Sequence, residues 1–382
     1  MPAAPETTPA ADLAAWLRLW RAPGIGPRAF GEILRHFGDP GAFFGASSAL
    51  RARSGIESRI LEAAAGVSED AAAPDLRWLE KDGNHVVTLA DPAYPAQLRE
   101  LPGAPPLLFV TGNPQALSTP QLGIVGSRNA TSGGVANATD FAFHLARAGL
   151  AITSGLALGV DGAAHRGALD ADGTTLAVMA TGPDRIYPAR HRDLAREISA
   201  DGALVTEFPV GTGVRREHFP RRNRLISGLS LGVLVVEASV RSGSLVTARH
   251  ALEQDREVFA IPGSIHNPLA RGCHALIRGG AKLVESTADI LEELPPVELP
   301  EASPGTADAA EKGAATEPPA LDGDYRAVLD ALGHDPVPFD VLLQRTALTP
   351  DTLSSMLLVL ELKGIVAAVA GGRYARIGGQ EG

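Results

Sequence analysis

Apolar and polar positions change their period along the chain, and each change marks a different kind of element. From Asp12 to about Val67 apolar residues recur three and four apart, beginning with Leu13, Trp16, Leu17, Leu19 and Trp20, which predicts amphipathic helices. Pro23-Gly-Ile-Gly-Pro27 interrupts that pattern before a second helical stretch from Arg28 to Phe37. Further on come apolar runs too short for helices: His85–Leu89, Pro105–Thr111, Leu122–Val125, Leu150–Thr153, Thr175–Met179, Ala203–Thr206, Val233–Val236, Val258–Ile261 and Lys282–Val284. Bounded by Gly, Pro and Ser and rich in β-branched residues, they predict buried strands. Helical stretches separate most of those after Leu122, the rhythm of an α/β protein with a doubly wound parallel sheet. From Pro295 to about Leu321 the chain is rich in Pro, Ala and Glu and has no period, which predicts a flexible linker. Helical patterns at Asp324–Leu332, Pro338–Arg345 and Pro350–Lys363, then a hairpin turned at Gly371-Gly372, predict a winged helix. The expected division is a helical domain over 12–83, the α/β domain over 84–293, the linker over 294–320 and the winged helix over 321–378, with residues 1–11 disordered.

Charge refines this picture. The chain carries a net −10, which argues against a general coat for nucleic acid. Between Gln121 and Ile290, however, 17 arginines and Lys282 face 16 carboxylates, so this segment is +2 and the remainder −12. Arg215, Arg216, Arg221, Arg222 and Arg224 fall within ten residues. The winged-helix segment is net −3, and its would-be recognition helix has no basic residue before Lys363, so packing or protein contact is favoured there over DNA contact. Cys273 is the single cysteine, which excludes an internal disulfide and a cysteine-rich metal site. The N-terminus has no basic start and no apolar core, and no apolar run reaches about 18 residues; a cytoplasmic, soluble protein is expected.

The candidate chemistry lies in the turns that follow the strands. Leu122-Gly-Ile-Val-Gly-Ser-Arg-Asn-Ala-Thr-Ser-Gly-Gly134 reads as strand, turn and helix, an arrangement that aims backbone N–H groups and a helix's positive end at an anion. It lacks the glycine spacing of the dinucleotide motif and the Gly-Lys-Ser/Thr of a P-loop, and a plain βα turn remains open. Gly126, Ser127 and Arg128 are the candidates here, with Arg128 a rigid cationic fork. Ser154-Gly155 ends the next strand, and Arg241-Ser-Gly-Ser-Leu-Val-Thr247, with Ser244, repeats the same turn chemistry. Phe219-Pro-Arg-Arg-Asn-Arg-Leu-Ile-Ser-Gly-Leu-Ser230 is the second key stretch. Arg222, Asn223 and Arg224 suit phosphate oxygens, and Phe219 beside them can stack an unpaired base. Enzymatic readings find less. Asp161 and His165 stand one helical turn apart, a pairing commoner as a helix-start acid and a packed imidazole than as a metal or acid–base pair. Glu207 and Glu237 end strands without an evident partner, and no Gly-x-Ser-x-Gly elbow flanks a strand.

Gly126-Ser-Arg128, Ser154-Gly-Leu-Ala-Leu-Gly-Val-Asp161, Tyr187-Pro188, Phe219 to Ser227, Val236-Glu-Ala238, Ser242 to Thr247 and Ala260-Ile-Pro-Gly263, in this order, resemble the DNA-processing protein DprA (Smf) family. The resemblance covers about Leu89 to Val284. It implies an extended Rossmann-like domain, with the helical start as a SAM/helix–hairpin–helix-like accessory and the winged helix as another. It further implies binding of single-stranded DNA without catalysis, no cofactor, a homodimer through the Rossmann domain, and loading of the RecA recombinase during natural transformation. The implied pocket uses Ser127, Arg128, Arg216, Phe219, Arg222, Asn223 and Arg224. One departure is His191, where Tyr-Pro-x-x-Asn is usual. An enzymatic alternative is a nucleotide-processing hydrolase of the lysine-decarboxylase-like (LOG) class, but its Pro-Gly-Gly-x-Gly-Thr-x-x-Glu turn has no counterpart in Ser242 to Arg249.

Overall fold

In the computed structural model, which describes residues 10–295, 323–332, 336–369 and 371–376, the short apolar runs assemble into one nine-stranded sheet. The strands are β1 (Asn84–Thr88), β2 (Leu107–Gly112), β3 (Gln121–Val125), β4 (Ala151–Ser154), β5 (Thr175–Val178), β6 (Ala203–Thr206), β7 (Gly232–Val235), β8 (Glu257–Ala260) and β9 (Lys282–Leu283). Their order is β1-β2-β6-β5-β4-β3-β7-β8-β9. Every pair from β6 across to β9 is parallel, while β2 joins β6 and β1 joins β2 antiparallel. The expected strands differ from these mostly by a residue or two at either end, where the ladder rather than hydrophobicity sets the boundary. Residues 1–9 and nearly all of the expected linker lie outside the described residues.

Strands β3 to β7 are buried along their whole length because helices cover both faces, which is why they read as unbroken apolar runs. Leu122 and Ile124 pack with Phe141 and Leu145 of helix Ser132–Arg147 and with Ala164 and Ala168 of helix Val160–Asp170. The other face carries Val178, Val205 and Val235 under Leu225, Ile226 and Leu229 of helix His218–Leu229 and Ala248 and Ala251 of helix Ser244–Glu253. Gly123 is small because the crossing is close: a Cβ there would stand 3.1 Å from Ser230 Oγ. The chain winds outward from β3 through β4, β5 and β6, then returns to lay β7 on the other flank of β3. In an open sheet of this kind the crevice for a ligand opens beyond the carboxyl ends at that reversal.

The N-terminal helices pack against the antiparallel edge. Trp78 meets Phe109 of β2 edge-on at 5.6 Å, and Trp20 Nε1 donates to the Glu207 carbonyl at 2.7 Å. Arg21 forks onto buried Asp75, which also accepts the Val210 N–H at 2.9 Å. Gly24 turns the hairpin at φ +77° and turns Ile25 inward, a packing use of the Gly-Ile-Gly segment. At the other end of the chain, helices Gly323–Leu332, Phe339–Thr346 and Pro350–Leu362 enclose Leu329, Leu342, Leu353 and Leu360. The hairpin Val366–Val369 and Arg373–Arg376 completes the winged helix.

Candidate nucleic-acid interface

The turn after β3 is held from beneath. Ser127 Oγ accepts the Asn129 N–H at 3.1 Å, and the Ser127 carbonyl accepts the Val160 N–H at 3.1 Å. The loop after β4 crosses so tightly that a Cβ on Gly159, at φ +77°, would fall 2.3 Å from that carbonyl. The fixed turn presents Arg128 to solvent, with no carboxylate paired to it among the described residues. The helix that follows is not the anion seat the motif suggests. Thr131 caps it through Gly134 N–H, and Glu237 at the end of β7 accepts from Thr131 N–H at 2.9 Å and from its hydroxyl at 2.7 Å. The positive end of this helix therefore already carries the protein's own carboxylate.

What remains open is a cleft of about 420 Å³ between the β3 turn, the first turns of helix His218–Leu229 and the start of helix Ser244–Glu253. Gly126, Ser127, Arg128, Phe219, Arg222, Asn223 and Ser244 all line it. The Arg128 guanidinium lies 5.1 Å above the Phe219 ring, and Tyr187 meets that ring edge-on at 5.9 Å. Asn223 Nδ2 reaches the Gly243 carbonyl at 3.3 Å, and the Ser242 and Ser244 hydroxyls share a 2.7 Å hydrogen bond. Ser242 and Thr247, which also line the cleft, were legible in the Ser-Gly-Ser-Leu-Val-Thr turn. Nothing in the sequence singled out Tyr187 as a neighbour of Phe219.

The arginine cluster is dispersed rather than gathered. Arg224 does not line the cleft: it donates to Glu207 Oε2 at 2.6 Å and to the Gly103 carbonyl at 2.8 Å. Arg221 forks onto the same buried Glu207 at 3.0 and 2.9 Å. The expected phosphate grip by Arg224 thus meets a competing partner, since helical spacing turns positions 221 and 224 toward the end of β6. Arg222 lies on the cleft floor, 4% exposed, and donates to the Val178 carbonyl at 2.6 Å. A Cβ on Gly155 would touch its Nη1 at 2.1 Å. Burial lowers its pKa to about 10, opposed by the Asp161 charge, so it is a cation at neutral pH that braces the floor. Ser154 is fully buried, donating to the Ile124 carbonyl at 2.6 Å, and Gly155 supplies room for Arg222; neither meets the cleft directly. Arg216 is exposed in the loop before the helix and outside the cleft.

The remaining candidates are structural. Asp161 accepts the Gly155 and Ala157 N–H groups. Thr175 donates its hydroxyl proton to the Ile152 carbonyl, so His165 Nδ1–H must donate to Thr175 Oγ1 at 2.7 Å, leaving Nε2 buried without a partner among the described residues. Burial pushes this imidazole down to about 3, and His191 and Arg222 add to the effect. His191 Nδ1 lies 2.8 Å from the carbonyl of Leu156, a buried residue held at φ +59°. A backbone in that region costs about 1–3 kcal/mol and needs external support. An amide N–H of Asn would serve the same carbonyl, which accounts for His in its place. Among the described residues no His, Cys, Asp or Glu group is arranged to hold a metal ion, and no helix is long and apolar enough to cross a membrane.

The family model described as DNA recombination-mediator protein A matches residues 85–295. The chain belongs to this family. A DprA-like N-terminal HHH domain matches residues 10–72 and a DprA winged helix domain residues 312–372, so the helical start and the winged helix are the family's own accessories. Protein Smf of Escherichia coli is 44% identical over 305 residues, 79% of this chain and 80% of that protein. The X-ray structure of DNA processing protein A from Streptococcus pneumoniae superposes with a TM-score of 0.67 at 34% identity, covering 76% of this chain and all of that one. DNA processing protein A from Helicobacter pylori, described for its unique single-stranded DNA binding mode, gives a TM-score of 0.50 at 26% identity over 56% and 97% of the two chains. Membership in the DNA recombination-mediator protein A family gives the chain a DNA-processing role in recombination.

Proposed function

We propose that the chain is a non-enzymatic binder of single-stranded DNA that protects incoming strands and loads the RecA recombinase onto them during natural transformation. It acts in the cytoplasm as a homodimer through the Rossmann domain, whose extent we place at 84–293. The observation that carries the binding role is the Arg128 guanidinium stacked over the Phe219 ring within the cleft at the sheet's reversal. An aromatic face takes any base, and a cationic fork beside it takes the adjoining phosphate, which gives affinity without sequence preference. Gly126, Ser127, Asn223 and Ser244 add small or polar surface that lets a sugar–phosphate chain come close. The family relative from Helicobacter pylori, described as binding single strands, supports the same assignment. A hydrolase of the LOG class gains no comparable support, since Glu207, Glu237 and Asp161 are all held by partners within the fold.

Fluorescence anisotropy with labelled oligothymidylate tests the proposal. The full chain should bind the single strand in preference to the matching duplex, and affinity should fall steeply with salt. Phe219→Ala should weaken binding about tenfold or more. Equal affinity for single and double strands, or Phe219→Ala binding like the parent, would overturn it.

A further inference from the structure

A second groove, larger than the cleft, runs from the loops that follow β5 and β6 along helix Arg192–Asp201. It has a volume of about 540 Å³, and its lining includes Arg185, Tyr187, Arg192, Arg196, Leu204 and Val214. Its floor is apolar, and two large side chains are left open to solvent, Tyr187 at 46% and Val214 at 48% exposure. Its cations are weakly committed. Arg185 pairs with its neighbour Asp184 at 3.5 Å and Arg196 with Asp193 one turn away at 2.8 Å, both in solvent, where such pairs are worth little. Arg215 and Arg216 follow Val214 directly and are exposed, and Glu217 stands 4.0 Å from Arg215. Tyr187 joins the two hollows: it lines this groove while its ring stands edge-on to Phe219 in the cleft.

Two aromatic rings in sequence, with arginines alongside, are what a polynucleotide needs to continue from one hollow to the next. We infer that this groove is a second subsite for the same single strand, with a base on Tyr187 and the following phosphates along Arg185, Arg192 and Arg196. The inference rests on the single-strand reading of the cleft. It also gives a place to Arg215 and Arg216, which the cleft does not use. An apolar floor with a rim of arginines fits a base and its phosphates, and the adjoining cleft supplies the polymer from which they extend.

The test is a length series on the full chain, comparing an oligothymidylate of about 4 nucleotides, at the short end of such site sizes, with one of about 16. The variants are Arg185→Gln/Arg192→Gln, both at exposed positions clear of Phe219, and Tyr187→Ala. For the double variant we expect affinity for the long strand to fall about tenfold, with the short strand bound as by the parent. The slope of log affinity against log salt for the long strand should shrink by about 1.4, at about 0.7 for each phosphate that an arginine no longer neutralises. Tyr187→Ala should show the larger loss on the long strand. Parent-like binding of both lengths by both variants would overturn the subsite while leaving the cleft intact, and would turn the groove toward a protein partner. An equal loss at both lengths for Arg185→Gln/Arg192→Gln would also overturn it, because those substitutions would then be acting on the cleft. A parent protein that binds neither length would remove the reading on which the subsite rests.

Discussion

Arg128 and Arg224 both sit in motifs that suggest phosphate, yet the structure gives them opposite work, and replacing each by Ala separates the two. Arg128 is exposed, free of carboxylate pairing among the described residues, and stacked on Phe219. Its loss removes a cation from the cleft and leaves the core untouched. The expected cost to binding is about 1–3 kcal/mol, or roughly 5- to 150-fold in affinity, with unfolding unchanged within about 0.5 kcal/mol. Arg224 donates at 2.6 Å to a carboxylate with no solvent exposure of its own. Removing one partner of a buried ion pair costs about 3–5 kcal/mol when the charge is left alone. Here Arg221 stays forked on Glu207, so about 2 kcal/mol is expected. Denaturant titration should therefore show a lower midpoint for Arg224→Ala and not for Arg128→Ala. Anisotropy on the folded proteins should show the reverse ranking. Should Arg224→Ala lose as much affinity as Arg128→Ala at unchanged midpoint, the assignment of Arg224 to the Glu207 clamp is wrong.

Gly155→Ala places a methyl against the Arg222 guanidinium and should cost about 1–3 kcal/mol of stability in denaturant melts, because Arg222 is held to the Val178 carbonyl and has little room to retreat. Glu237→Gln replaces the anion at the N-terminus of helix Ser132–Arg147 by a neutral amide; a loss of about 1 kcal/mol in the same melts is expected, and none would mean that the carboxylate charge contributes nothing there. His165 titrates near 3 in the fold and near its ordinary 6.5 when unfolded, so the neutral ring favours the fold above pH 6.5 and that advantage disappears as pH falls through 3. His165→Gln should flatten stability across that window, by on the order of 5 kcal/mol at full extent; an acid limb identical to the parent's would contradict it.

The sheet was legible because fully buried parallel strands leave a mark that needs no partner to read, an apolar run cut off by Gly or Ser. The turns at Gly126 and Ser242 were legible for the same reason. What the sequence could not show was which way charged side chains face. Arg221, Arg222 and Arg224 lie within four positions, so a helix sends them in different directions: two to Glu207 and one beneath Gly155. Their partners are 14, 17 and 44 residues distant in the chain. Glu207 and Glu237 lacked evident partners for a related reason, since Thr131 lies 106 residues before Glu237 and only the β3–β7 pairing brings them together. Asp161 and His165 went the other way, because the ordinary roles of a helix-start acid and a packed imidazole were also the simplest ones.

This division of charge explains how an acidic chain can offer a cationic surface. Net charge acts at long range, but contact with a strand is decided within about 8 Å at physiological salt. Over that distance the rim's carboxylates are already engaged. Glu237 neutralises a helix end, and Glu207 holds two arginines and the Trp20 indole against the N-terminal domain through its side chain and carbonyl. Arg128 is thereby left without a carboxylate paired to it among the described residues, the buried Asp161 acting on it only through space, while Arg185, Arg192 and Arg196 line the neighbouring groove with weak, exposed pairs at most. The same Glu207 couples two properties: it braces the helix that carries Phe219, and it anchors the helical domain to that helix.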